Sequence, residues 1–342
     1  MPNFAGLDVS LQLTSVCIVD GEGEIVREFK TSTEAETLCH ALLPYAQELK
    51  AIGLEAGPMS QHLYSEMAEA GLPVICVESR HMAQALRAQT LNKTDRNDAR
   101  GIAQMMRVGL YKPVHVKTDR SQRLKVLLTA RKLLKSKLLD IEADLRGVLK
   151  NFGYKLGKVG PRNFEDRVRE LASFDSFVAE VVEPVLTARR VLREQYDRLH
   201  HMLVVVARAD PVCQRLMTMP GVGVVVAMTY RVTIDMPMRF AKSRSVGAHI
   251  GLTPKRYQSG EIDWSGRISK TGDQLLRASL YEAAQVLMTR VARPSSLRSW
   301  AMRLAKRRGH KRATVALARK MGVILHRMWS DGTDFQWGNA VQ

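Results

Sequence analysis

Asp95 and Asp98 lie three residues apart in the stretch Asn92-Lys93-Thr94-Asp95-Arg96-Asn97-Asp98-Ala99-Arg100. Residues 95–108 read as a helix, and carboxylates three apart on a helix point to one face, so both can reach one centre. Neither meets an obvious cation on that face, because Arg96 and Arg100 point elsewhere. The competing interpretation is a helix-capping aspartate followed by a solvated one. Asp8 and Glu55 shift the balance, since each falls near the end of an apolar run that reads as a strand. Taken singly, Asp8 suits a turn and Glu55 the start of a helix. Together the four acids would repel one another strongly in a low-dielectric site. Divalent cations resolve that conflict, and oxygen-only ligation selects Mg²⁺ or Mn²⁺. Two such ions about 4 Å apart stabilise the attacking and leaving oxygens of a phosphodiester displacement.

The elements that must position these acids follow from the pattern of the first 117 residues. Residues 4–9, 13–20 and 25–29 read as three short strands, with turn glycines at Gly21 and Gly23 making an antiparallel meander. A helix (35–49), a strand (51–55), a helix (61–70), a strand (73–77) and a helix (79–89) follow. Three strands and then alternating helix and strand is the order of a ribonuclease-H-like α/β domain. In such a mixed sheet the first and fourth strands can lie side by side, bringing Asp8 and Glu55 to one sheet edge.

Charge divides the chain in the same place. Residues 1–117 hold 11 Lys/Arg and 14 Asp/Glu, a net of −3, whereas the remainder holds 41 and 20, a net of +21. A nearly neutral first domain before a very basic remainder points to a polyanionic partner, nucleic acid above all. No amphipathic anchor or lipidation signal accompanies the charge, so a membrane surface is not expected. Four cysteines (Cys17, Cys39, Cys76, Cys213) without C-x-x-C spacing argue against zinc ribbons and a disulfide framework. With no signal-peptide pattern and no long apolar run, the expected location is the cytoplasm.

From Thr118 to Lys150, Leu127, Leu134, Ile141 and Val148 recur every seven residues, with Leu124, Leu138 and Leu145 on the companion position and Arg131 interrupting them. Such spacing predicts a coiled coil and self-association. Residues 153–161 form a glycine-rich basic connector, and a second helix (177–207) can return antiparallel, with Arg189, Arg190 and Arg193 on a solvated face. Pro220-Gly221-Val222-Gly223 has the look of a helix–hairpin–helix turn, though an ordinary helix connection fits as well. Residues 251–272 are dense in glycine, serine and basic side chains, and read as a loop region built for close approach. Residues 275–288 and 297–329 read as helical, and Lys306, Arg307, Arg308, Lys311 and Arg312 suit contact with a phosphate backbone. The tail after Gly332 is expected to be poorly ordered.

Gly6-Leu7-Asp8, Leu54-Glu55-Ala56-Gly57 and Lys93-Thr94-Asp95-Arg96-Asn97-Asp98-Ala99 resemble the DEDD transposases of the insertion-sequence-110 family. So do Pro220-Gly221-Val222-Gly223, Gly251-Leu252-Thr253-Pro254, Ser259-Gly260 and Gly266-Arg267-Ile268-Ser269-Lys270, in family order from about residue 4 to about residue 330. The resemblance implies a multidomain α/β plus α chain. It would comprise a RuvC-like DEDD domain (1–117), a coiled-coil oligomerisation region (118–208), a mostly helical transposase domain (209–330) and a tail (331–342). It further implies a DNA recombinase of a bacterial insertion sequence that pairs donor and target DNA through a bridge RNA and works as a dimer or tetramer. Asp8, Glu55, Asp95 and Asp98 would bind the Mg²⁺ or Mn²⁺ ions and Ser259 would attack DNA, with Ser265 as the alternative serine.

The residues suit that chemistry. A serine hydroxyl needs a base or a metal to activate it, and no His or Lys at suitable spacing serves Ser259 locally. A covalent phosphoserine link would conserve the phosphodiester energy and permit religation without ATP. Lys255, Arg256, Arg267 and Lys270 could offset developing phosphate charge, although plain backbone contact is the simpler role. Three rivals compete: a RuvC-like nuclease using water, a sugar-kinase or actin-like ATPase suggested by Gly6-Leu7-Asp8-Val9-Ser10, and a basic RNA-binding scaffold. The ATPase lacks a second D-x-G phosphate loop.

Overall fold

The computed structural model describes residues 1–89 and 94–338. It divides into two compact units, Met1–Lys117 and Thr118–Gln342. The first contains β1 (Asn3–Val9), β2 (Leu13–Val19), β3 (Ile25–Ser32), α1 (Ala35–Leu42), β4 (Leu49–Glu55), α2 (Ser60–Glu69), β5 (Val74–Val77), α3 (Ser79–Gln89) and α4 (Asp95–Val108). Its mixed sheet has the order β3-β2-β1-β4-β5. The meander β1–β2–β3 is antiparallel, while β4 runs parallel to β1 and β5 parallel to β4. The first and fourth strands are therefore neighbours, as the element order suggested. The helix expected over 35–49 stops at Leu42, where Pro44 tightens the chain into a 3₁₀ turn, Leu43–Tyr45.

Strand alternation gives the sheet two buried faces. Ala5, Leu7, Ile52 and Leu54 pack on one side with Leu38, Leu42, Leu63 and Met67 of α1 and α2. Phe4, Cys17, Val19 and Ala51 pack on the other with Met82 of α3 and Ile102 and Met106 of α4. Gly6 and Gly53, paired across β1 and β4, are where α4 comes closest. A Cβ on Gly6 would lie 2.2 Å from the Ala99 carbonyl oxygen, and one on Gly53 would lie 2.7 Å from Ile102 and Met106. Both strands thus offer bare backbone where the helix crosses, which sets the depth at which α4 sits.

The second unit is helical, with α5 (Asp119–Asn151), α6 (Phe164–Ala172), α7 (Ser176–Ala209), α8 (Pro211–Met217), α9 (Val224–Ile234), α10 (Val246–His249), the hairpin β6 (Pro254–Ser259) and β7 (Ile262–Ile268), α11 (Gln274–Thr289), α12 (Ser296–Arg308) and α13 (His310–Ser330). One core gathers α8, α9, α11 and α13 with the ends of α5 and α7, through Leu128, Leu203 and Ala207. A second core fastens the far end of α5 and α7 to α6 through Leu145, Leu149, Phe164 and Val168. On α5 the companion series is the buried one, Leu138 and Leu145 together with Arg131. Arg131 is held in that seam by Tyr196 Oη at 2.6 Å and His200 Nδ1 at 3.1 Å on α7.

Several sequence expectations change here. Arg189 is 2% exposed rather than solvated: Glu142 and Glu165 take its guanidinium and the Phe164 ring stacks beneath it. Residues 297–329 form two helices, because Gly309 adopts φ +82 between α12 and α13. Gly221 (φ +87) faces α11, where a Cβ would lie 2.4 Å from the Ala283 carbonyl oxygen, so its turn serves helix packing. As far as residue 338 the tail is docked rather than loose. Phe335 is buried in the larger core, its amide donates to Thr218 Oγ1, and Trp337 receives the Arg293 guanidinium on its ring.

Candidate active site

Strand alternation places Asp8, two residues beyond Gly6, on the face of the sheet that carries α4. Glu55, two residues beyond Gly53, falls on the same face of the neighbouring strand, one step past the Leu7–Leu54 pair. The two acids line one cleft of about 260 Å³ together with Ser10, Gly57, Pro58 and Ser60. Asp8 also pairs in register with Ser15 on β2, and Ser15 with Lys30 on β3. Glu55, Asp8, Ser15 and Lys30 therefore form one row across four strands, and Gly53, Gly6, Cys17 and Glu28 form the next.

Over these rows lies the first turn of α4. Its cap is Thr94, whose Oγ1 accepts from the Asn97 amide at 3.2 Å, so neither aspartate is needed for capping. Asp98 is 7% exposed, buried on the side of α4 that packs on the sheet. Asp95 is 63% exposed, and Lys30 Nζ donates to its Oδ2 at 3.0 Å. The cation missing from the helix face thus arrives from β3, a partner that helix spacing cannot reveal. Glu28 accepts from Arg96 at 2.8 and 2.5 Å and from both Nε and Nη2 of Arg100. Those guanidiniums hold its carboxyl down to about 2, Arg100 foremost. Beneath them burial, reinforced by the Glu28 charge, pushes the Cys17 thiol up to about 12, so it is inert.

Asp8, Glu55, Asp95 and Asp98 are thus brought to one face and one end of the sheet, none of them to the opposite surface. They are not drawn into a closed cage. Among the described residues no group of three or more His, Cys, Asp or Glu is close enough to hold a metal ion. Magnesium does not need a cage, since it keeps several waters and is bound through one or two carboxylates. The oxygen-only pair in the Asp8–Glu55 cleft fits that demand.

Ser259 lies on a different kind of element. The region read as a loop is a β-hairpin, with Arg256 opposite Ser265, Tyr257 opposite Trp264, Gln258 opposite Asp263 and Ser259 opposite Ile262. Gly260 (φ +55) opens its two-residue turn, as a type II′ turn requires. Every residue of β6 is exposed, so the hairpin borrows no stability from burial and depends on its base. There Gly251 meets Thr271 and Gly272 meets His249, each so closely that a Cβ would lie 2.0 Å from the facing carbonyl oxygen. Arg277 Nη1 donates to the Ile250, Thr271 and Gly272 carbonyls and ties the two chains together. Ser259 and Ser265 project from opposite faces of this finger. Lys255, Arg267 and Lys270 are exposed along it, while Asp263 takes both ends of the Arg256 guanidinium at 2.9 and 2.6 Å. Lys306, Arg307, Arg308, Lys311 and Arg312 are all exposed around the Gly309 elbow.

Two family models match the chain. A DEDD transposase model of the IS110 type covers residues 5–153 and includes all four acids, and the Transposase IS116/IS110/IS902 family model covers residues 213–300 and includes the whole hairpin. The chain belongs to the IS110 transposase family. It is 29% identical to the transposase for insertion sequence element IS1111A of Coxiella burnetii, over 94% of this chain and 87% of the relative. It is 25% identical to a probable family 20 transposase of Pseudomonas aeruginosa, over 97% and 98%. A transposase for insertion sequence element IS1328 of Yersinia enterocolitica is 32% identical over 42% of this chain and 43% of that one. Among solved structures, Thermus thermophilus RuvC bound to a Holliday junction aligns with 33% of the chain at 15% identity and a TM-score of 0.24, too slight a likeness to assign anything. No helix among the described residues is long and apolar enough to cross a membrane.

Sequence reasoning about this IS110-family chain missed Lys30, Glu28, Tyr257 and Trp264. Lys30 and Glu28 alternate on β3 in register with the acid and glycine rows, a signal open only to someone who has fixed the strand pairing. The two aromatics flank a Gly260–Glu261 turn, a hairpin cue that the surrounding polar residues obscured.

Proposed function

We propose that this transposase cuts and rejoins DNA by transesterification, with Asp8, Glu55, Asp95 and Asp98 binding Mg²⁺ or Mn²⁺ and Ser259 acting as the nucleophile. The observation that carries the reading is that Asp8 and Glu55, at the ends of neighbouring strands and on the sheet face that carries α4, line one cleft. DEDD membership implies dependence on a divalent metal, and the paired carboxylates supply its oxygen ligands. Two bound ions would polarise the scissile phosphate and stabilise its leaving oxygen. Residues 1–117 form the RuvC-like catalytic domain in this assignment, 118–208 the coiled-coil region, 209–330 the transposase domain and 331–342 the tail.

Within that scheme Ser259 Oγ forms a bond to phosphorus as the bond from phosphorus to a deoxyribose oxygen breaks. The serine proton passes through water to the departing oxygen, leaving a free deoxyribose hydroxyl and a phosphoserine diester. Attack on that diester by the hydroxyl of another strand reverses the bonds and releases Ser259, with no net loss of phosphodiester energy. Lys255, Arg267 and Lys270 orient the strand through its phosphates, and Arg256 joins them if Asp263 releases it. Lys306, Arg307, Arg308, Lys311 and Arg312 engage the backbone of donor DNA, target DNA or the bridge RNA that pairs them. Exposed Val126, Leu133 and Leu139 on α5 and Val191, Met202 and Val205 on α7 support assembly into a dimer or tetramer. The site of action would be the bacterial cytoplasm, on the nucleoid.

The test is an end-labelled DNA spanning the element's junction, incubated with Mg²⁺, the protein and the flanking non-coding transcript. Wild type yields an adduct that survives denaturing electrophoresis, Ser259→Ala yields none, and Ser265→Ala retains it. Undiminished cutting by Ser259→Ala without an adduct would instead establish a RuvC-like nuclease that uses water.

A further inference from the structure

Tyr257 and Trp264 face each other across the hairpin, with ring centroids 6.0 Å apart and planes 26° from parallel. They are 51% and 54% exposed. Rings stacked face to face would sit closer, so the pair is offset and each ring leaves much of one face open to solvent. The indole cannot rise freely from the sheet, because it lies across Gly266. A Cβ there would come within 2.8 Å of indole Cζ3. Glycine at 266 is therefore what lets Trp264 lie down beside Tyr257 and widen the plate. Cross-strand aromatic pairs do stabilise hairpins. Stability alone does not call for two large rings half in water on an element whose other exposed side chains are mostly polar or basic.

Alternation gives the plate a second property. Ser259 stands two residues from Tyr257 on the same face of β6, about 7 Å along the strand. Lys255, two residues before Tyr257, shares the face of the plate. Arg267 and Lys270 are exposed towards the base of the hairpin, and Arg256, paired with Asp263, belongs to the other face. An open aromatic surface on a finger that carries exposed basic side chains matches an unpaired nucleobase, whose flat face stacks while its phosphates meet the charges. We infer that Tyr257 and Trp264 form a stacking platform for an unpaired base of the DNA strand presented to Ser259. The inference rests on the proposed role of that serine. A base held there would fix the position of the adjoining phosphate, and a strand still in duplex could not use the platform because its bases are covered by their neighbours.

Binding can be measured without chemistry, in the full-length protein with EDTA present. A short single-stranded DNA oligonucleotide is titrated against intrinsic fluorescence, and the same oligonucleotide as a duplex serves for comparison. Quenching seen in wild type and absent in Trp264→Phe assigns the signal to Trp264 among the four tryptophans. Trp264→Ala and Tyr257→Ala are expected to bind the single strand roughly 5- to 100-fold more weakly. Trp264→Tyr keeps a stacking ring and should stay within about 2-fold of wild type. Gly266→Ala, which tilts the indole, should weaken single-strand binding while duplex binding is unchanged. The inference is overturned if Trp264→Ala binds the single strand as wild type does. It is equally overturned if Trp264→Tyr loses as much as Trp264→Ala, or if duplex binding falls in parallel. Adduct formation by Ser259 is read separately, so either proposal can fail without the other.

Discussion

Lys30 Nζ lies 3.0 Å from Asp95 Oδ2, and Lys30 occupies the same cross-strand row as Asp8 and Ser15. A cation therefore occupies one of the four acids proposed as metal ligands. Because both partners are more than half exposed, the pair is weak, of the order of 0.2–1 kcal/mol. Lys30→Met should free Asp95 and tighten divalent-ion binding by about 2- to 5-fold. Titration with Mn²⁺ at low ionic strength reads this directly, and raising the salt should shrink the difference. Weaker binding in the variant would show that Lys30 orders the site rather than competing for it.

Glycine at 6 and at 53 has different neighbours, and substitution should separate them. In Gly6→Ala the new methyl meets the backbone of α4 at Ala99, which cannot yield without moving the helix. Overpacking of this kind costs about 1–3 kcal/mol, and Gly6→Ala belongs at or above the upper end. Gly53→Ala meets the side chains of Ile102 and Met106, and methionine is easily redirected, so its loss should be near the lower end. Urea denaturation gives both values. Divalent-ion binding should fall further in Gly6→Ala, because the helix it displaces carries Asp95 and Asp98.

Acid should loosen the first unit through Glu28. Its carboxyl is depressed from an ordinary value near 4.5 to about 2, chiefly by Arg100 and then Arg96. A depressed carboxyl contributes stability that is complete above its unfolded value and fades as pH falls through its folded one. The Arg96–Glu28–Arg100 contribution is therefore full above about pH 4.5 and lost on the way to pH 2. Urea midpoints measured from pH 5 to pH 2.5 should fall less steeply in Glu28→Gln than in wild type. Equal slopes would mean that the two arginines do not hold this carboxylate in solution.

Two arginines four residues apart on α7 should behave very differently. Arg189→Ala strands Glu142 and Glu165 beside a buried void, a defect worth about 3–5 kcal/mol. Arg193 pairs with Asp197 at the surface, and Arg193→Ala should stay within about 0.5 kcal/mol of wild type. Thermal or chemical denaturation of the two variants side by side checks the contrast.

Much of the first unit can be read from its sequence because β1, β2, β4 and β5 are largely buried and their apolar runs show it. The element order allows Asp8 and Glu55 to be neighbours, and the β1–β4 pairing makes them so. Lys30 escaped notice because β3 is half exposed and offers no apolar pattern to fix its register. Arg189 escaped for the opposite reason: its acids arrive from α5 and α6, and α6 begins just past the glycine-rich connector that hid it. The β6–β7 hairpin is the hardest case. A strand reveals itself through a period-two contrast between buried and solvated residues. With both faces in water that contrast vanishes, and only the Ser259–Gly260 turn remains as a clue.

The interlocked glycines at the foot of that hairpin have a mechanical consequence. Residues 249–251 and 270–272 pass each other at backbone distance, and neither chain has room to slide. The shaft above them is mostly exposed, so the motion its geometry favours is a swing of the whole finger about its root. Small displacements at Gly251 or Gly272 would thus be magnified towards the tip, where Ser259 adjoins the turn and the aromatic plate moves with it. Aim is set at the root, and the two groups at the far end keep their spacing while the finger searches.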